Sequence, residues 1–241
     1  MLALILAAAS ALPAPAELAT VPRLIQKAEP VYCGGKRGRN VALTFDDGPS
    51  PYTLRLVHVL RRLHARATFF DVGSRIGYWP AAVRAQARAG ELGNHTWSHP
   101  HLAGLAPVDV RHELEWTQRS IGRAVGVVPR VFRPPYEEAT PSVDLVARSL
   151  GLLDVRWSAD SGDSDAGASP RSAVRIAVAA LRPGAIILFH DPHAATPAVA
   201  AAVVRAARRK GLRPLTVSEL LAREPPSAHQ LASTGAARCI P

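Results

Sequence analysis

The sequence predicts an α/β domain built on a parallel sheet, either open or closed into a barrel. Short apolar, β-rich runs alternate with segments of helical period from about residue 41 to 222, the pattern of consecutive βαβ units. No internal repeat and no long linker interrupts that alternation. The runs also stop at chemistry-bearing residues: Asp46 and Asp47, then Arg133, then His190. In a closed α/β barrel, active residues gather where strands end, so one shared site explains these endings better than unrelated turns.

The elements follow in order. Val41-Ala42-Leu43 is a buried strand leading into Thr44-Phe45-Asp46-Asp47-Gly48-Pro49, where Gly-Pro breaks it. Residues 52–66 predict a helix with Leu54, Val57, Leu60 and Leu63 on its apolar face. Residues 67–72 form a second strand closed by Gly73, and 80–89 a helix opened by Pro80 and stopped at Gly90. From Pro107 to Gly126, Val110, Leu114, Thr117, Ile121 and Val125 keep a near-3.6 period. A strand over 130–133 ends at Pro134-Pro135. A helix over 142–150 stops at Gly151, and 152–157 is a strand. A helix over 170–181 precedes Pro183-Gly184 and the apolar strand 185–190. Helices over 197–210 and 215–223 complete the domain.

With 241 residues, 48% hydrophobic and 20% charged, the chain can bury one full core. Its net charge of +10 favours anionic surroundings. No basic run of five and no aromatic interleaving occurs, which argues against nucleic-acid binding. Residues 1–19 carry no charge before Glu17, and Leu2–Leu12 has the length of a signal-peptide core, with small residues at Ala14-Pro15-Ala16. That stretch is too short to span a bilayer comfortably. Residues 20–39, with Pro22 and Pro30, predict an extended segment, and 223–241 an irregular tail. Export is therefore expected, to the medium or the cell envelope, with no stable membrane insertion unless the leader is retained. Cys33 and Cys239 are the only two cysteines. In an exported chain such a pair suggests one disulfide tying the ends together; two unpaired thiols are the alternative.

Adjacent carboxylates at a strand mouth disfavour each other's ionisation, so Asp46-Asp47 calls for a nearby cation. His95 and His99 are four residues apart and would share a face if helical. With a strand-end Asp they make a His₂-carboxylate set, a catalytic pattern for Zn²⁺ that also suits Fe²⁺ or Co²⁺. The cysteine positions exclude thiolate ligands.

Thr-Phe-Asp-Asp-Gly-Pro (44–49), His-Thr-x-x-His (95–99), Arg-Pro-Pro-Tyr (133–136), Asp-x-x-Asp (160–163) and Leu-x-His (188–190) together resemble the polysaccharide deacetylases, the NodB-homology or carbohydrate esterase 4 family. The resemblance covers residues from about 41 to 222 and implies a distorted (β/α)₇ barrel as a single domain over 40–222. It implies one divalent ion, Zn²⁺ first with Co²⁺ or Ni²⁺ as alternatives, held by Asp47, His95 and His99. Asp46 would be the general base, Arg133 its orienting partner, and the Tyr136 N–H an oxyanion donor contacting substrate. His190 would be the general acid, supported by Asp163, and Leu188 the wall around the acetyl methyl. The substrate implied is an acetylated glycan, acted on by a monomer that removes N-acetyl groups from peptidoglycan or chitin oligosaccharide. O-acetyl esterase action on xylan and a catalytically weak glycan binder are the alternatives. Two departures bear on these roles: Ser164 stands where the family usually has Trp, and Glu137-Glu138 follows Tyr136 where Gly is frequent. His101 and Asp109 receive no role.

Overall fold

In the computed structural model, which describes residues 15–27, 29–232 and 239, β1 (Asn40–Gly48) is the centre of the sheet. It is flanked by β2 (Thr68–Asp71) and β7 (Ile186–His190), with β3 (Glu91–Asn94), β4 (Val131–Phe132) and β5 (Leu153–Asp154) beyond β2, and β6 (Ala159–Asp160) beyond β7. A short β8 (Arg213–Leu215) pairs with the start of β1. Every strand pair is parallel. The helices between strands are α2 (Thr53–Arg62), α3 (Pro80–Ala89), α4 (Pro107–Val125), α5 (Pro141–Ser149), α6 (Pro170–Ala180) and α7 (Thr196–Arg209), with α8 (Val217–Arg223) and α9 (Ala228–Ala232) after β8. Among the described residues β5 and β6 do not pair, so the sheet is a half-barrel of eight strands. At its open side Val31 bridges Val155 and Cys33 bridges Ala185. The apolar runs of the sequence marked five of these strands; β3, β6 and β8 are too short or too polar to stand out.

Strand alternation sorts the chain into two layers. Val41, Leu43, Phe45, Ile187 and Phe189 pack outward with Leu56, Leu60, Val203 and Val204. The opposite face carries Ala42, Thr44 and Asp46 beside Ile186, Leu188 and His190 in direct register. At one end of this inner face, Ala42, Phe70 and Ile186 meet Val217, Leu220 and Leu221 of α8. The other end is the site. Helix limits agree with the periodicity to within a few residues, most closely for α3 and α4, the latter ending at left-handed Gly126 (φ 73°).

Several expectations are corrected. The segment predicted as extended contains α1 (Pro15–Lys27), which crosses the boundary drawn at residue 19. Pro22 removes one backbone hydrogen bond from it. Val21, Leu24 and Ile25 offset that loss by packing on α8 and β5; their i, i+3, i+4 spacing is the signal that counting prolines obscures. The proposed leader core, Leu2–Leu12, lies outside the described residues. In α2 the buried face is Thr53, Leu56, Val57 and Leu60, and Leu54 is exposed. The described part of the tail, expected to be irregular, contains α9 and is docked. Buried Glu224 accepts from the Asn40 backbone and side chain, Gln230 Nε2 donates to the Gly34 carbonyl, and Cys33 and Cys239 form a disulfide.

Because α8 seals the inner face, truncating Leu220, fully buried, should cost about 2–5 kcal/mol. Denaturant unfolding of Leu220→Ala measures it; a change below roughly 1 kcal/mol would mean the site could collapse or was not packed.

Candidate metal centre and active site

The site assembles at the carboxyl ends of the strands. Neighbours in a regular strand face opposite ways, yet Asp46 and Asp47 are both needed at one mouth. The structure resolves this with an irregularity between Asp46 and Gly48 in the pairing with β2 and a left-handed Asp47 (φ 66°). Asp46 remains inward and 3% exposed. Asp47 turns its Oδ1 to within 3.4 Å of His95 Nε2 and 3.1 Å of His99 Nε2.

The segment 95–99 is not helical, contrary to the condition under which the two imidazoles would share a face. It is an irregular loop with left-handed Thr96 (φ 65°) and His99 (φ 62°). The rings nonetheless meet, with centroids 5.0 Å apart. His95 Nδ1 lies 2.7 Å from the Arg133 carbonyl oxygen. A carbonyl only accepts, so Nδ1 carries the proton and Nε2 offers its lone pair to the site. His99 Nδ1 pairs with the Tyr136 hydroxyl at 3.2 Å. Asp47, His95 and His99 place one ligand atom each within 4.8 Å of one another, and Asp47 Oδ1 is buried without a hydrogen-bond partner. Burial alone would raise the Asp47 carboxyl, but with no ion bound the two imidazoles, when protonated on the Nε2 atoms that face it, outweigh burial and hold the group far below the usual carboxylate range. This donor set fits a divalent ion.

Arg133 enters from the end of β4 and is fully buried. Its Nη1 donates to Asp46 Oδ1 and Thr44 Oγ1, each at 2.8 Å, its Nε to the Val155 carbonyl at 2.9 Å, and its Nη2 to the Arg156 carbonyl at 3.0 Å. The guanidinium lies 4.2 Å from the Phe70 ring centroid. Burial pulls it below its ordinary pKa, and Asp46 opposes that without cancelling it.

His190 ends β7 opposite Asp46 in the register. β6 pairs with β7 and delivers the following loop, so that Asp163 accepts from His190 twice, from the backbone N–H and from Nδ1, both at 2.8 Å. Burial would lower the imidazole, yet the Asp163 hydrogen bond and the nearby carboxylates raise it to about 9. Asp160 instead accepts from the Gly162 N–H at 2.8 Å, within its own loop. Leu188 is buried on the same strand.

Tyr136 is left-handed (φ 57°) and 56% exposed at the groove. Its ring stacks on His101, with centroids 4.0 Å apart, and His101 pairs with Glu138 at 3.0 Å. Arg156 sits 3.8 Å from the Glu137 carboxylate and donates to the Glu137 carbonyl at 2.6 Å, so a guanidinium faces the first of the two acids after Tyr136. Ser164 is exposed. Thr44, His101 and Glu113 also serve the site without having been singled out. Thr44 had the strand period as a clue; His101 and Glu113 had none, because their partners are distant in sequence.

The polysaccharide deacetylase family model matches residues 34–155. A chitooligosaccharide deacetylase from Bradyrhizobium sp. is 38% identical over 64% of this chain and 71% of its own length. The peptidoglycan-N-acetylglucosamine deacetylase PgdA of Listeria monocytogenes is 32% identical over 77% of this chain and 39% of its length. The chain spans 25–39% of the length of several curated relatives it matches. Among solved structures, a family 4 carbohydrate esterase from Streptomyces lividans in complex with acetate has a TM-score of 0.70 and 37% identity, covering 75% of this chain and 93% of that one. From its motifs, its half-barrel and these relatives, the chain belongs to the polysaccharide deacetylase family.

Proposed function

We propose that the protein is a metal-dependent hydrolase removing N-acetyl groups from a β-linked aminosugar polymer, peptidoglycan or chitin oligosaccharide, outside the cytoplasm. The observation that carries this reading is the convergence of Asp47, His95 and His99 beside the Asp46–Arg133 pair, one strand from His190–Asp163. The names of the relatives support the substrate class, and the disulfide supports an oxidising compartment.

Asp47, His95 and His99 would hold Zn²⁺, with Co²⁺ or Ni²⁺ as alternatives. When bound, such an ion lowers the pKa of water and polarises an acyl oxygen. The protein's own groups do the rest. Asp46 takes a proton from the attacking water, and Arg133 and its carbonyl and hydroxyl partners keep that carboxylate aimed into the groove. The Tyr136 N–H donates to the oxygen that becomes negative as the acetyl carbon turns tetrahedral. His190, protonated and oriented by Asp163, donates to the departing amine nitrogen. Leu188 walls the acetyl methyl and excludes water from its side.

The same apparatus would cleave an O-acetyl ester, which the likeness to a carbohydrate esterase keeps as a second reading. Relative rates on N-acetylated chitooligosaccharide and acetylated xylan decide between the two.

Acetate release from an N-acetylated glycan should stop with chelator and return with Zn²⁺ or Co²⁺. Asp46→Asn should lose about 10²–10⁴-fold in kcat. Acetate release that persists through metal removal would overturn the reading.

In the metal-free protein, the His190 ring should titrate near 9 by NMR rather than near its ordinary 6.5. A raised pKa means that the pair's contribution to stability is complete below about 6.5 and is lost as pH rises through about 9. Asp163→Asn should bring the titration down and draw the alkaline limb of activity to lower pH. An unchanged midpoint in that variant would show that Asp163 does not set it.

A further inference from the structure

Both imidazoles of the candidate metal centre ride on one irregular loop; the Gly73 and Ser74 amides donate to its Thr96 and Trp97 carbonyls at 2.9 and 3.0 Å, and a side chain of α4 holds its amides. The Trp97 and Ser98 backbone N–H groups both donate to Glu113 Oε2 at 2.8 Å, and the Ser98 hydroxyl donates to Glu113 Oε1 at 2.9 Å. Two successive amides on one carboxylate oxygen form an anion-binding concavity, here filled by the protein's own side chain. The remaining loop amides are satisfied elsewhere: His95 N donates to the Asp71 carbonyl of β2 at 3.1 Å. Thr96 N donates to Asn94 Oδ1 at 2.9 Å and His99 N to Thr96 Oγ1 at 3.1 Å, while Asn94 Nδ2 donates to the Leu114 carbonyl of α4 at 2.8 Å.

An acid on a half-exposed helix ordinarily solvates its face or pairs one turn away. Glu115 does that, lying 3.3 Å from Arg111 and 3.1 Å from Arg119. Glu113 makes no ion pair among the described residues; the bonds found for it run to the metal loop. The loop needs such an anchor. Left-handed Thr96 and His99 cost on the order of 1–3 kcal/mol each, and without outside bonds the segment would relax and separate the rings.

We propose that Glu113 is a positioning residue for the metal centre: its carboxylate fixes residues 97–98, and thereby the separation and aim of His95 and His99. The inference rests on the metal-dependent reading above. A glutamine keeps one acceptor for the two amides and can turn its Nε2–H to the Ser98 hydroxyl, but it loses the negative charge that makes the amide bonds charge-assisted.

Co²⁺ affinity, followed by its visible absorption and by competition with a chelator, should fall measurably in Glu113→Gln, with the roughly 10–100-fold loss known for groups bonded to the ligands themselves as its upper bound. Hydrogen exchange at the Trp97 and Ser98 amides should accelerate in the metal-free variant, and its Tm should stay close to wild type. Glu115→Gln, two residues along the same helix, should move none of these. Ser98→Ala removes the hydroxyl bond alone and should give a smaller loss in the same direction, which keeps the test available if Glu113→Gln folds poorly. Wild type that binds Co²⁺ alongside variants of equal affinity would overturn this inference alone. Wild type that binds no divalent ion at Asp47, His95 and His99 would overturn the metal reading itself.

Discussion

The site depends on keeping Asp46 charged in a nearly closed interior. An isolated carboxylate there would be expensive, and the cost falls only if a cation with complementary geometry is buried with it. Arg133 is that cation. It is fully enclosed, and it makes four hydrogen bonds, to Asp46, Thr44 and the carbonyls of Val155 and Arg156. Those carbonyls belong to the chain leaving β5, so one guanidinium ties β1, β4 and β5 across the inside of the half-barrel. The planar fork makes these bonds simultaneously, which an ammonium group could not do. Removing such a partner from a buried pair typically costs about 3–5 kcal/mol, so the Asp46 carboxylate and the fold share one support.

Around that pair the backbone departs from its ordinary regions. Six non-glycine residues in the described chain have positive φ, and five of them, Asp47, Thr96, His99, Tyr136 and Glu137, line the site. Each departure redirects a side chain that regular structure would point elsewhere. Asp47 leaves the alternation of β1, His99 folds back toward His95, and Tyr136 closes the groove. The surrounding bonds hold these residues in place: the Asn94 and Glu113 contacts for the loop, and Arg156 for the turn at Glu137.

Much of this was legible in the residue order. Alternating apolar runs and helical periods located the helices, because burial on one face imposes a period whatever the partner. Strand-end positions of Asp46, Asp47, Arg133 and His190 anticipated a common mouth, and the motif set named the remaining members. Legibility failed where the local signal was short or pointed the wrong way. β3 is four residues long and contains Glu91 and Gly93, which weakens an apolar pattern. α1 contains a proline that outweighed three well-spaced apolar residues. The i, i+4 spacing of His95 and His99 matched a helix, although the loop reaches the same juxtaposition by another route.

Sequence alone determined the α/β class, the places of the helices from α2 to α8 and which chemistry-bearing residues stand at strand ends, because these follow from local periodicity and from where apolar runs stop. Only the tertiary structure decided that Asp47 turns toward the imidazoles, that Arg133 reaches Asp46 through the sheet interior, and that Glu113 clamps the loop from α4. Those facts are distances between residues far apart in the chain, and they are set by how the packed layers close on one another rather than by any segment's own preference.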